Sequence, residues 1–331
     1  MRFLRNFCLT LLLLALVGAL AQAQNPSGYK VFRRITLGGE GGWDYLTFDS
    51  QARHIYIARA TRVMVIDADS GKQVGEIPNT AGVHGVALVQ KLGRGVTSNG
   101  KEDTATVFDL KTLALIAKVK TGGKPDAILF DPFSGLVLTF NGNSNDATLI
   151  DPAKAATVAT IALAGKPETG ISDGKGKVFV NLEDKSEIAV IDVAARKVLA
   201  SWPLTGCEEP TGLAVDLVNH RLFSGCHNAT LVVMDTDSGR VVQTLAIGNG
   251  VDAAAYDQQA GLVFTSNGEG NISVIRQQGP DKYTSLANVP TQKGARTMAL
   301  DPGRHVLYTV ANAAADASGK PGAFELIVLE K

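Results

Sequence analysis

The chain is short of cysteine, short of aromatic side chains and without an excess of charge of either sign. Three cysteines in 331 residues cannot build a dense disulfide framework, and the absence of Cys-x-x-Cys-His excludes a c-type haem attachment site. Lys and Arg number 32, Asp and Glu 32. A general nucleic-acid or anionic-lipid surface shows basic excess or basic runs, and neither is present. No nucleophile elbow, phosphate-binding loop, His-Glu-x-x-His or Ca²⁺ loop is expected. What the chain does have is 45% hydrophobic and 19% charged residues, a soluble globular composition with material for a large core.

Residues 1–23 read as an export signal rather than as fold. Arg2 and Arg5 precede the apolar run "FCLTLLLLALVGAL", and Ala21-Gln22-Ala23 is a small-x-small cleavage site. The run is short for a span of about 20 residues. Cys8 lies at its start rather than its end, which argues against a lipoprotein anchor. No later run is apolar enough to span a bilayer. The expected product is a periplasmic or secreted chain in which residues 24–331 form one domain. Cleavage leaves Cys207 and Cys226, an even number in a compartment that permits disulfides.

The chain repeats itself. From Asp67 to Asp109, Asp151, Asp192 and Asp235 the steps are 42, 42, 41 and 43 residues. Each unit holds four short strand-like runs separated by turn residues. The first runs include "DYLTFD", "DAILFD" and "DAAAYD"; the third include "VMVID", "ATLID" and "LVVMD". The last unit stops after its third run, while "YKVFRRITLGG" at residues 29–39 matches the fourth-run pattern. The N-terminal strand should therefore close the last unit, leaving no long free edge. First runs meeting at one axis need small side chains, and Ala87, Ala127, Gly212, Ala214 and Ala253 to Ala255 supply them. The expected fold is all-β: a seven-bladed β-propeller with four antiparallel strands per blade.

The repeats, with "ILFDP", "LYTVAN" and "VIDADSGK", resemble the YVTN (YncE-like) β-propeller repeat proteins of bacteria. The nearest forms of the name tetrad are "VFVN", "LYTV" and "VFTSN". The resemblance covers the whole mature chain. It implies an exported binding or scaffold propeller, and it carries no catalytic residues onto this sequence.

Aspartates sort by face. Asp49, Asp131, Asp216, Asp257 and Asp301 follow first strands, and Asp67 and Asp235 open "DADSGK" and "DTDSGR"; both groups read as turn chemistry. Five residues before the end of each first strand stands a different set: Asp44, His84, Asp126, Glu168, Thr211, Asp252 and Arg296. One per blade, these should ring one mouth of the central channel. They either bond loop backbone and hold the ring closed, or bind a ligand. Trp43, beside Asp44, is either a cap over the core or a stacking wall for that ligand. The second strands end in Asn99, Asn141, Asn181, His227, Asn267 and Asn312 on the same face, where asparagine suits left-handed loop geometry. Cys207, in the loop leading into blade 5, and Cys226, ending that blade's second strand, also share this face. Their Cα atoms could approach within the roughly 7 Å a disulfide requires; two free thiols are the alternative.

The expected function is non-catalytic binding or scaffolding. A small molecule or protein would be held at the polar mouth by a monomeric chain. The alternative is a metal-assisted hydrolase, lactonase or lyase, with Asp44, His84, Asp126 and Glu168 as an arc for a divalent ion and Arg296 opposite for an anionic substrate. A haem- or quinone-bearing redox propeller is a third reading, with only His84 and His227 as axial ligands. No cofactor is required; a divalent metal ion is the candidate.

Overall fold

The structure is a computed structural model that describes residues 27–331 apart from 316 and 321, so the expected signal segment lies outside the described residues. Seven antiparallel sheets follow one another along the chain, and the sheet pairings form seven blades. Blade 1 starts at Leu46–Asp49, blade 2 at Val83–Val89, blade 3 at Pro125–Asp131 and blade 4 at Pro167–Ser172. Blade 5 starts at Pro210–Asp216, blade 6 at Val251–Asp257 and blade 7 at Met298–Asp301. In blade 6 the outer strand is split into Lys282–Ser285 and Val289–Pro290, both paired with Asn271–Gly279.

The ring closes as the sequence suggests. Lys30–Thr36 pairs antiparallel with Phe324–Glu330, from Lys30 opposite Glu330 to Thr36 opposite Glu325. The closing strand alternates exposed and half-buried residues, the signature of an outer strand with one face to solvent. Middle strands such as Leu262–Asn267 are buried at every position, because each lies between two neighbours and under the adjoining blade.

Crowding at the axis explains the small first-strand residues. A Cβ on Gly212 would lie 2.6 Å from the backbone of Ala253 and Ala254, so the first strands of blades 5 and 6 touch main chain to main chain. Apolar packing runs around the ring between neighbouring blades: Phe48 stacks on Tyr308 at 5.6 Å and Phe223 meets Tyr256 at 5.1 Å.

The turn aspartates do what their motifs suggest, and more. Asp49, Asp216, Asp257 and Asp301 each accept backbone N–H bonds from the two residues that follow at i+2 and i+3. Their second oxygens often latch the next blade. Asp131 accepts from Ser172 at 2.6 Å, Asp216 from Gln277 at 2.8 Å and Asp301 from Arg53 at 2.9 Å, while Asp257 pairs with His305 at 2.6 Å. The motif specifies the turn, whereas the latch depends on the next blade.

Candidate functional site

The ring residues come together at the mouth opposite those turns, and local backbone puts them there. In blades 2 to 6 the ring residue is the second residue of the first strand. In each of these five blades the strand pairing skips register across that residue, between Val83 and Val86, Pro125 and Ile128, Pro167 and Gly170, Pro210 and Leu213, and Val251 and Ala253. Such a bulge re-aims a side chain out of the pleat.

At five of the ring positions the backbone is held by the preceding blade. Ring carbonyls accept bonds from Thr297 Oγ1 (to Asp44, 2.9 Å), Tyr45 N (to His84, 3.0 Å) and Asn181 Nδ2 (to Thr211, 2.8 Å). Ser98 and Ser266 do the same for Asp126 and Arg296. The clasp of the ring thus grips main-chain carbonyls, with a side-chain donor from the neighbouring blade in every case but His84. Among the described residues, the carboxylates of Asp44, Asp126, Glu168 and Asp252 accept no bond from a backbone N–H; their partners are other mouth side chains.

Those partners define the mouth. His84 Nδ1 lies 2.6 Å from Asp44 Oδ2 and 3.3 Å from Asp126 Oδ1. Lys124 Nζ stands 3.7 Å from Asp126. Arg296 Nε donates to Asp252 at 2.7 Å, and its Nη2 donates to the Trp43 carbonyl at 3.1 Å. Tyr45 reaches from blade 1 across to blade 4, where its hydroxyl donates to Glu168 Oε1 at 2.8 Å. It floors the mouth, and burial followed by the charges of Glu168 and Asp252 pushes its phenol well above the ordinary range.

Burial shapes the acids. Glu168 is pushed up to about 8, first by burial and then by the charge of Asp126. Asp252 is raised to about 6 by burial and the Asp44 charge, although Arg296 works against both. Burial, opposed by His84, also raises Asp126. For His84 burial works downward, but the bond to Asp44 and the charges of Asp126 and Asp44 outweigh it and the imidazole is raised. Like-charged groups in a partly dry site are what move acids in this direction.

Not every expected ring member is alike. Thr211 is buried and donates to the Val251 carbonyl at 3.0 Å, so it belongs to the clasp. Trp43 packs on Phe324 at 5.4 Å, between blades 7 and 1, with the Arg296 guanidinium 5.9 Å from its ring centre. The second-strand asparagines correct an expectation: none has positive φ. Asn99, Asn141 and Asn267 are buried and donate sideways to Thr106, Thr148 and Ser273 of their third strands. His227 sits on the surface with Glu209, 2.9 Å away. Cys207 and Cys226 are bonded, with Cα atoms 5.5 Å apart.

Two features escaped the sequence reading. Tyr45 was one; at its position the other blades have Gly85, Ala127, Thr169, Gly212, Ala253 and Thr297, so one bulky residue among six small ones was the available signal. The other is Gly170-Ile171-Ser172-Asp173-Gly174, which has nucleophile-elbow spacing. Ser172 ends a propeller strand, donates to Asp131 and precedes a turn and another strand, so the strand–helix context of an elbow is missing.

Comparison with known proteins supports the architecture. The chain is similar to a chain of hydrazine synthase from Kuenenia stuttgartiensis, with a TM-score of 0.72 and 16% identity over 88% of this chain and 96% of that one. It is also similar to a chain of the mitotic checkpoint complex, with a TM-score of 0.74 and 12% identity over 95% and 94%. At these identities the likeness is one of fold. No family model matches the chain, and neither does any curated protein.

Proposed function

We propose that this is an exported YVTN-type propeller, non-catalytic, that binds its ligand at the mouth formed by Asp44, His84, Asp126, Glu168 and Asp252, with Arg296 and Trp43 at the rim. The observation that carries the reading is the division of labour around the ring. Main-chain carbonyls and neighbouring hydroxyl and amide side chains hold the blades together, which leaves the four carboxylates unused by the clasp. Polar side chains gathered with shifted acidities in a partly buried place mark a binding site more often than a structural joint. The disulfide fits an oxidising compartment. Among the described residues no helix is long and apolar enough to cross a membrane.

The test is the double substitution Asp126→Asn with Glu168→Gln in exported protein, followed by native mass spectrometry and thermal unfolding. Loss of a co-purified ligand without loss of stability is the expected outcome. A fall of several kcal/mol, with nothing bound to the wild type, would return the carboxylates to a structural role. A metal-assisted hydrolase, lactonase or lyase is the second reading, favoured by the proximity of Asp44, His84 and Asp126, whose donor atoms lie within 4.8 Å of one another.

A further inference from the structure

We infer that the mouth takes a divalent transition-metal ion of the zinc class, ligated by Asp44 Oδ2, His84 Nδ1 and Asp126 Oδ1, with a fourth position open toward the channel axis. The inference rests on the proposed binding role of the mouth and names its ligand.

The donor set is one imidazole nitrogen and two carboxylate oxygens, which suits zinc and its neighbours better than the all-oxygen cages of Ca²⁺ or Mg²⁺. The spacing fits. With metal–ligand bonds of about 2.0–2.2 Å, tetrahedral donors stand about 3.3 Å apart. His84 and Asp126 are already at 3.3 Å; Asp44 and His84, at 2.6 Å, need open by only about 0.7 Å once a metal replaces the proton between them. The three donors come from three successive blades whose carbonyls at these residues are clasped, so the scaffold is rigid.

Two observations outside the triad point the same way. The imidazole is seated by Gly100: a Cβ there would lie 2.7 Å from His84 Nε2. Gly100 has no positive φ, so the glycine is explained by room for the ring, which turns Nδ1 to the carboxylates. Next along the arc, Glu168 is only 8% exposed, and its Oε2 has no partner among the described residues while Oε1 takes the Tyr45 hydroxyl. A carboxylate beside the triad with one free oxygen can accept a bond from a metal-bound water.

The experiment uses the exported full chain, stripped with chelator and titrated with Zn²⁺ alone by calorimetry, and with Co²⁺ by visible absorption. One equivalent of Zn²⁺ is expected, with tetrahedral Co²⁺ bands that Zn²⁺ bleaches. His84→Ala and Asp126→Asn should each weaken binding at least about tenfold, in line with lost ligands, whereas Glu168→Gln should retain the stoichiometry. Absence of binding, or binding untouched by His84→Ala in a protein that melts like the wild type, overturns the inference. If a variant fails to fold, the wild-type Co²⁺ spectrum decides: octahedral, weakly absorbing Co²⁺ refutes the nitrogen-bearing tetrahedral site. Should Zn²⁺ fail to bind while the Asp126→Asn, Glu168→Gln pair still abolishes an organic ligand, the metal is rejected and the binding role of the mouth stands.

Discussion

Glu168 offers the sharpest test of how the mouth is built. In an unfolded chain it ionises near 4.5, but in the fold it does so near 8. The folded protein therefore holds more protons than the unfolded one between those values, and stability must fall as pH rises through the window. Each pH unit inside it is worth about 1.4 kcal/mol, so by about pH 9 the ionised side chain costs on the order of 5 kcal/mol. Glu168→Gln removes the charge and keeps an oxygen for the Tyr45 hydroxyl. For a chain of this size each kcal/mol moves Tm by roughly 2 °C, so the variant should melt about 10 °C above wild type near pH 9 and within about 2 °C of it near pH 5. The assay is differential scanning calorimetry with chelator present, because a bound cation would hold the acid ionised. Equal melting temperatures at both pH values, or a gain of the same size at both, would refute the claim that a buried, repelled carboxylate sits there.

The remaining tests address the frame. A chain beginning at residue 40 lacks the strand that pairs Lys30–Thr36 with Phe324–Glu330; it should unfold at lower denaturant and self-associate, as read by sedimentation. Replacing Cys207 and Cys226 together by serine frees a loop with a sequence separation of 19 and should lower stability by on the order of 3 kcal/mol in urea titration; wild type, unfolded without reductant, should show no free thiol. Gly212→Ala, whose methyl would meet the backbone of Ala253 and Ala254, should cost on the order of 3 kcal/mol by the same titration. Tyr45→Phe removes the one donor to Glu168 and should cost about 1 kcal/mol near pH 9, with less loss near pH 5.

The fold was legible because its signals are local and repeated. Turn aspartates, alternating strands and a near-constant spacing each restate one blade, and the unmatched run at residues 29–39 could pair only with a unit missing its fourth strand. The ring was legible for the same reason: a constant offset carries a position from blade to blade. What could not be read depends on reach between blades. Tyr45 meets Glu168 across the channel at a separation of 123 residues. The bulges depend on register with a neighbouring strand; Asn99, Asn141 and Asn267 are buried donors within their own sheets, and Asn181 donates to the next blade. Sequence spacing gave no hint that Thr211 points to a carbonyl while its six counterparts differ.

The carbonyl clasp has an evolutionary consequence. Because the joints grip main-chain oxygens, which every amino acid possesses, the identity of the side chain at most rim positions is released from the duty of holding the ring. Substitutions there can accumulate one at a time without an obligatory partner change in the adjoining repeat. Acid, imidazole and guanidinium already occupy equivalent places in this chain. The rim behaves as a short alphabetic register in which chemistry can be rewritten while the architecture is inherited, and a library randomised at Asp44, His84, Asp126, Glu168, Asp252 and Arg296 should yield folded members at high frequency.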